Sequence, residues 1–424
     1  MDQPFKIKAA IKIYLPFKTH NTYSFRKKLY KDNSWDKNPC LDTRFYLKYI
    51  DRIFNKESVY SDCFVTEKHL DSLDFIYEDV PFSISRARIF SFDTSVAFLE
   101  MTVTKETDDF SVLEDITHLL RQGDEKCLKK TDGTLTSVNM VSEELLSALG
   151  RITLFDHICR NAATRPELFV TVVTDSHLDT DIHSYRLSNG LNSHYKGDCV
   201  DCEFYSNYNY IRWAVTKRGV CNIALVTDDE NNNKFVLDSW ISNTDSRYII
   251  WYILALHQKY ALFQYLNDIA EKNSSRHLGD FQKKIMILNT KYRFSLVSEE
   301  TSYQKVYEII CRVKNLNYEF EDADEEVERI FEYNEAKSNK NNVIAMTMIS
   351  ILCAFSAVKD LIDMMKDNKT SSLYDTIVSL PEDKLILFII FASILIISFA
   401  ILLPRHKIAS LYNKIKKKIL KMFF

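Results

Sequence analysis

Alternating apolar and polar residues mark several segments in the first part of the chain. Successive side chains of a β-strand point to opposite faces of its sheet, so this alternation predicts strands, especially where β-branched and aromatic residues are frequent. The segments are FKIKAAIKIYL, TSVAFLEMTVTK, ELFVTVVTD and NKFVLDSW. A helical spacing occurs in SEELLSALGRITLFDHICRNA, which opens at Ser142 and places Leu145, Leu146, Leu149, Ile152 and Phe155 along one side. We therefore predict an α/β or α+β domain over residues 1–243.

The spacing becomes helical after this region. SRYIIWYILALHQKYALFQYLNDIAEK is apolar over much of its length, but its apolar run is too short and too interrupted to span a bilayer, which predicts a core helix. Between Gly279 and Pro381 the chain has neither glycine nor proline, the two residues that most often end helices. We therefore predict long stalk helices over residues 244–341.

Two apolar segments follow the stalk region. The second, LILFIIFASILIISFAILLP, has no charged residue, and at about 1.5 Å per residue its length matches a hydrocarbon core of about 30 Å. The first, VIAMTMISILCAFSAV, is shorter and continues into KDLIDMM. We predict a transmembrane hairpin at 342–404, with spans at about 342–362 and 385–404 and an outer loop at 363–384. The alternative for the second segment is a buried core helix.

Basic residues after Pro404 predict the orientation. The tail at 405–424 contains many lysines and no acid, whereas the loop at 363–384 has more acids than bases. Because basic residues favour the cytoplasmic side, we expect a multi-pass protein of the cell (inner) membrane with both termini in the cytoplasm. The tail either lies on anionic lipid or is a disordered basic segment. The absence of a signal-peptide pattern and the scattered cysteines predict reduced thiols in a cytosolic domain.

One face of the first predicted span carries small and mildly polar residues. They recur every three or four positions: Asn342, Met346, Ser350, Cys353, Ala357, Asp360 and Met364. A carboxylate in a membrane is costly unless it faces water or a partner, so we predict that this face lines a pore, with Asp363 and Asp367 at the outer mouth. One hairpin cannot enclose a pore, which implies a homo-oligomer. The alternative is a packing seam between helices.

The layout resembles the CorA superfamily of two-span pentameric cation channels. The resemblance covers the cytosolic domain, the stalk, the two spans and the basic tail, and YIIWYILALHQKYALFQYL is similar to the helical part of CorA-like cytosolic domains. It implies a CorA-like oligomer, a pentamer. It also allows a divalent cation to be sensed between subunits at the acidic run YEFEDADEEVERIFEYNE, for which a solvated helix is the alternative.

The chain departs from that family at its signature. Gly-Met-Asn at the outer end of the first span is absent, and the region reads KDLIDMMKDNKTSSLYD. A subset of CorA-like proteins without the signature is associated with type III CRISPR systems and resembles membrane effectors gated by a nucleotide second messenger, in the known case an S-adenosylmethionine–AMP adduct. The resemblance therefore implies a messenger-gated channel in antiviral defence. A divergent divalent cation transporter and a membrane-tethered enzyme or scaffold are the alternatives.

A nucleotide site in the soluble domain would need arginines for phosphate and aromatic rings for the base, because no glycine-rich phosphate loop occurs. Two segments offer such residues. FSISRARIFSF contains Arg86 and Arg88, and NYNYIRWAVTKRG contains Tyr208, Tyr210, Arg212, Trp213, Lys217 and Arg218. For each segment the alternative is an amphipathic strand with a solvated basic edge.

One pair of cysteines is spaced like metal ligands. The pair Cys199 and Cys202 has metal-ligand spacing, but structural zinc usually needs two such pairs, so we expect free thiols and no metal.

The isolated histidines form no hydrolase motif, and His257, within an apolar helix, is expected to be a core residue. We therefore expect no enzyme activity and no cofactor beyond a signalling nucleotide. The formal net charge of −3 argues against a direct nucleic-acid binder.

Overall fold

The computed structural model describes residues 6–350 with internal gaps. The gaps are at 38, 40, 55–58, 71–72, 78–79, 124, 151, 155–164, 176–178, 228, 272–277, 330–331, 333–334, 337–338, 340–342 and 345. Most of the predicted hairpin and the whole basic tail lie outside the described residues. Of the first predicted span, residues 343–344 and 346–350 are described and helical. Within the described part of the chain, no helix is both long and apolar enough to cross a bilayer.

The described residues form a mixed α/β structure built around a large sheet. Its strands are β1 (Ile7–Thr19), β2 (Cys63–His69), β3 (Asp74–Tyr77), β4 (Val80–Phe92), β5 (Val96–Thr107), β6 (Leu128–Lys130), β7 (Leu135–Thr136), β8 (Ile152–Leu154), β9 (Glu167–Thr174), β10 (Cys202–Tyr208), β11 (Ile211–Thr216) and β12 (Gly219–Leu225). They lie in the order β10-β11-β12-β9-β1-β5-β4-β3-β6-β7, with β2 beside β4 and β8 beside β1. Strands β12 and β9 are parallel, and the other pairs described are antiparallel.

Helices cover both faces of the sheet. They are α1 (Thr22–Lys31), α2 (Lys48–Phe54), α3 (Phe110–Arg121), α4 (Val138–Leu146), α5 (Thr180–Asn189), α6 (Glu230–Asn243), α7 (Ile249–Glu271), α8 (Leu278–Tyr292) and α9 (Thr301–Val313). A π-helical segment, Thr244–Tyr248, joins α6 to α7, and residues 316–329 are also helical.

Strand β1 is central and buried on both faces. Its residues Ile11 and Ile13 belong to the core that includes Leu113 and Ile116 of α3. The next residue along, Tyr14, points the other way, and its ring meets that of Tyr252 in α7 edge-on at 5.5 Å. Strand β1 is therefore buried along almost its whole length, including Lys12, which is 1% exposed.

The strands predicted at FKIKAAIKIYL, TSVAFLEMTVTK and ELFVTVVTD are confirmed as β1, β5 and β9, one predicted strand is wrong, and one predicted helix is wrong in part. NKFVLDSW lies in helix α6 rather than in a strand, because Asp229 caps the helix by accepting hydrogen bonds from the backbone N–H groups of Asn231 and Asn232. The helix predicted from Ser142 instead begins at Val138 after the cap Ser137, ends in a 3₁₀ turn at Leu149, and is followed by β8.

The compact unit that contains the sheet extends past residue 243, the boundary expected from the sequence. It comprises Met1–Glu325, and a second unit comprises Glu326–Phe424. The predicted core helix is confirmed as α7, which includes the fully buried His257. The chain leaves helical geometry at 293–300 and at 314–315, where Asn315 has a left-handed φ of 57°. The stretch without glycine or proline is therefore divided into shorter helices than the sequence predicts.

Candidate functional site

A cavity of about 400 Å³ lies where β9 and β12 begin. These parallel strands start side by side, with Gly219 opposite Leu168. The cavity is lined by Arg121, Arg165, Pro166, Glu167, Lys217, Arg218, Lys259 and Tyr260. They come from the end of α3, the start of β9, the turn before β12 and the middle of α7. We call this cavity the basic pocket.

The basic pocket has a surplus of positive charge. Its lining has five cationic side chains and one carboxylate, so four positive charges are left over. At the rim, Lys217 Nζ lies 3.4 Å from Asp201, and both side chains are exposed. Guanidinium and ammonium groups grouped in this way favour an anion with several oxygen acceptors, such as a phosphate.

Arg121 is the most deeply placed arginine of the basic pocket. Its side chain is only 7% exposed, and its buried Nε–H has no hydrogen-bond partner among the described residues. Burial, together with repulsion from Arg218 and Arg165, lowers the pKa of Arg121 to about 10. A buried donor without a partner is costly, and a bound anion would supply both the acceptor and the missing negative charge.

Glu167 forms the inner wall of the basic pocket. Its Oε1 accepts hydrogen bonds from Lys259 Nζ at 2.5 Å and from the hydroxyl of Tyr260 at 3.2 Å, and its Oε2 accepts one from Lys314 Nζ at 2.7 Å. Burial alone would raise the pKa of Glu167, but the Lys259 and Lys314 ammonium groups outweigh it and lower the pKa to about 2. The carboxylate is therefore ionised at any physiological pH.

Two glycines allow the walls of the basic pocket to approach closely. Gly190, which ends α5 with a left-handed φ of 61°, would place a Cβ 2.3 Å from Arg121 Cδ. Gly219 would place one 2.6 Å from the carbonyl oxygen of Leu168. No other residue could be accommodated at either position without moving its neighbours, so the two glycines help to fix Arg121 and the turn that carries Arg218.

The structure brings two of the predicted ligand-binding residues, Lys217 and Arg218, into the basic pocket. Arg212 instead binds Asp181, with an Nε–Oδ1 distance of 2.6 Å, and its guanidinium lies over the Phe204 ring. The rings of Tyr208 and Tyr210 stack on each other. Trp213 is fully buried and contacts Trp240, Tyr248 and Trp251, which is the packing of a core residue rather than of a base-stacking platform.

Arg86 and Arg88 lie in a different place, within an ion cluster between the sheet and the π-helical segment. Arg88 Nη2 lies 2.7 Å from Glu67, Arg86 Nη2 lies 2.5 Å from Asp245, and Lys12 Nζ lies 2.8 Å from Asp245. Glu100, fully buried, also faces both arginines. The two guanidinium groups therefore already have carboxylate partners, and their geometry indicates a structural role in place of the predicted ligand-binding role.

Asp245 is the carboxylate that joins Lys12, Arg86 and Arg88. Burial opposes its ionisation, but Lys12 and Arg88, with Arg86, outweigh burial and hold the pKa of Asp245 well below its ordinary value. Removal of this charge would take from the buried Lys12 ammonium its carboxylate partner in the ion cluster, whereas Arg86 and Arg88 would keep Glu67 and Glu100.

The remaining predicted site residues fall mainly outside the described residues. Of the predicted pore-lining face, only Met346 and Ser350 are described, both helical and exposed. Asn342, Cys353, Ala357, Asp360 and Met364, and the outer-mouth residues Asp363 and Asp367, lie outside them. In the acidic run, Asp324 accepts a hydrogen bond from Asn289 and pairs with Arg293.

Metal-binding chemistry has no support in the described regions. No group of three or more histidine, cysteine, aspartate or glutamate side chains there is arranged to hold a metal ion. Cys199 and Cys202 are free thiols, and burial raises the pKa of each.

The residues that sequence reasoning missed come from distant parts of the chain. Arg121, Arg165, Glu167, Lys259 and Tyr260 belong to no common motif, and only the fold brings them together. Two weak signals were present: a carboxylate opens the apolar strand ELFVTVVT, and a lysine interrupts the apolar helix YIIWYILALHQKYALF. Charged residues in buried elements usually have a partner, so each signal implied a partner elsewhere.

We predict that Asp245→Asn lowers the free energy of unfolding by about 3 kcal/mol, because it leaves the cations of the ion cluster without their shared carboxylate. Thermal and chemical unfolding of the purified chain would measure this. Asp238→Asn, at an exposed position in α6, is the matched control and should change stability little. Equal effects of the two substitutions would contradict the structural role of the ion cluster.

We predict that Gly190→Ala destabilises the chain more than Gly133→Ala does. Both positions have positive φ, so each substitution costs about 1–2 kcal/mol in backbone strain. At Gly133 a Cβ would meet nothing within 4 Å, whereas at Gly190 it would overlap Arg121 and Leu168, adding about 1–3 kcal/mol. Unfolding of the two variants in parallel tests this difference, and equal losses of stability would show that Arg121 is not held against Gly190.

Comparisons with known proteins give no family for the chain. No protein-family model matches it, and no curated protein matches it. The function is therefore inferred from the residues of the chain and from their geometry.

Proposed function

We propose that the chain is a membrane effector ion channel that a cytosolic nucleotide second messenger opens in antiviral type III CRISPR defence. The observation that supports it best is the basic pocket, where Arg121, whose buried Nε–H has no hydrogen-bond partner among the described residues, lies among four other cations. The alternative is a divergent CorA-like divalent cation transporter with an altered selectivity filter.

The basic pocket supports recognition of a ligand rather than chemical conversion of one. Its lining combines arginines and lysines with one carboxylate that two ammonium groups keep ionised. It includes no serine, cysteine or histidine that could act as a nucleophile or as its base. A site that binds an anion and leaves it intact suits a sensor.

The membrane part of the proposal is supported by the sequence. The uncharged segment LILFIIFASILIISFAILLP has the length of a membrane-spanning helix, and the preceding apolar segment carries the polar face that ends at Asp360 and Met364. Several copies of that face would surround a pore with a ring of carboxylates, which favours cations. The ligand would open the pore only if it binds the open and closed states with different affinity.

The transporter alternative rests on the acidic run around residues 318–335. Carboxylates there could bind divalent cations between subunits, as the CorA resemblance implies. A constitutive transporter would not require a binding site for an anion. Nucleotide binding at the basic pocket therefore separates the two proposals.

We predict that Arg218→Gln weakens the binding of a signalling nucleotide by roughly 10- to 100-fold, because it removes a charge-assisted hydrogen bond to phosphate. Arg218 is exposed, so the variant should fold normally. The measurement is thermal stabilisation of the purified chain by a panel of adenylate messengers that includes an S-adenosylmethionine–AMP adduct. Lys305→Gln, an exposed substitution on α9, is the control. A lack of stabilisation across the panel would favour the transporter.

We predict that Asp360→Asn reduces cation flux through liposomes that contain the chain, because it neutralises the proposed ring of carboxylates. Asp375→Asn, in the predicted outer loop, should change the flux much less. Unchanged flux in the first variant would reject a pore-lining role for Asp360. A strictly monomeric mass in detergent would reject every form of the pore.

A further inference from the structure

Lys314 lies at the joint between α9 and the helical residues that follow. It is the C-cap residue of α9, and the next residue, Asn315, adopts left-handed geometry before the chain becomes helical again at residue 316. Its side chain is fully buried although it is cationic. A buried ammonium needs specific partners, so those partners hold the joint in place.

The partners of Lys314 belong to the basic pocket. Its Nζ donates to Glu167 Oε2 at 2.7 Å and to the backbone carbonyl of Lys217 at 3.0 Å. Both residues line the basic pocket, whereas Lys314 does not. Glu167 also accepts from Lys259, so one carboxylate connects a cation that faces the cavity with a cation that fixes the joint.

We propose that the basic pocket takes a ligand bearing several phosphate charges, and that Glu167 and Lys314 transmit its occupancy to the helical residues 316–325. This inference rests on the proposed function, since it concerns the ligand and the regulation of the same site. It adds the charge class of the ligand and names the residues that report its binding.

The charge class follows from the composition of the lining. The surplus of four positive charges exceeds what one singly charged phosphodiester neutralises. Glu167 stays ionised, and its negative charge repels any anionic ligand. Binding is therefore favourable only if the attraction between the ligand and the cations exceeds this repulsion. A ligand with two or more phosphates can pair with the arginines while Glu167 keeps its lysines, so affinity should rise with the number of phosphates.

Glu167 can transmit ligand binding to residues 316–325 because it accepts hydrogen bonds from both Lys259 and Lys314. Lys259 is 29% exposed and faces the cavity, so a bound phosphate competes with Glu167 for its ammonium group. As Lys259 turns to the ligand, Lys314 becomes the main ammonium partner of Glu167, and its hydrogen bond strengthens. Glu319, one turn into the next helical segment, also faces Lys259 and Lys314, and burial raises its pKa. The same charges thus act on residues 316–325.

The ligand class is tested with AMP, ADP and ATP on the full chain in detergent at constant ionic strength without magnesium. These probes share the base and the sugar and differ in phosphate charge. Calorimetry should show affinity rising at least about tenfold from AMP to ATP. Arg218→Gln should reduce the slope of this series, and Lys305→Gln should not. Equal affinities for the three nucleotides would overturn the charge class.

Transmission is tested by hydrogen exchange of the same chain with and without ATP. We expect ATP to slow exchange of the amides in 316–325 by roughly tenfold, and to have no such effect in Lys314→Met, which keeps the side-chain length but loses the ammonium. Lys305→Met, on the exposed face of α9, should behave as the wild type does.

The possible outcomes separate the two claims. If ATP binds without slowing exchange in 316–325, or if Lys314→Met retains the slowing, transmission through Lys314 is wrong while the proposed sensor remains. If neither these nucleotides nor the adenylate messengers bind, the proposed function itself fails. If Lys314→Met does not fold, exchange of the wild-type chain is compared with and without ATP, and a lack of slowing in 316–325 would overturn the proposed transmission.

Discussion

The pairing of buried Glu167 with two lysines is the interaction on which the rest of the basic pocket depends. A carboxylate at the start of an apolar strand would be costly alone, and the ammonium groups of Lys259 and Lys314 compensate it. This pairing joins β9, α7 and the joint after α9 at one point. Glu167 is the one carboxylate among the lining residues, and it pairs with Lys259 and Lys314, so the arginines of the lining have no carboxylate of their own there. The surplus charge of the site follows from this arrangement.

The surplus positive charge of the basic pocket lies at an edge of the sheet where ligands do not usually bind. Ligands of open α/β sheets usually bind beyond the carboxyl ends of parallel strands. Here the basic pocket lies at the amino-terminal ends of β9 and β12, the parallel pair of a largely antiparallel sheet. Helix α3 ends there, and Gly190 lets the Arg121 side chain pass close to the end of α5. The basic pocket is therefore formed by the end of α3, the starts of β9 and β12 and the middle of α7, and not by a phosphate-binding loop.

Sequence patterns predicted much of the fold and little of the site. Strands β1, β5 and β9 were predictable because they are rich in β-branched and aromatic residues, and helix α7 because its apolar stretch is longer than a strand and too interrupted for a membrane span. The segment NKFVLDSW failed because its composition suits a strand, while the capping by Asp229 that makes it helical is local hydrogen bonding. Lys217 and Arg218 were predicted as ligand-binding residues because they are basic and directly precede Gly219. Arg121 and Lys259 could not be found in this way, because their proximity depends on tertiary packing.

Binding of an anionic nucleotide at the basic pocket can be tested by photo-crosslinking. The full chain would be irradiated with an azido-adenine nucleotide, digested and mapped by mass spectrometry. We expect labelled peptides that contain Tyr260 or the turn at Lys217 and Arg218, with labelling suppressed by excess ATP. Labelling concentrated at the strand with Arg86 and Arg88, or labelling that excess ATP does not suppress, would contradict it.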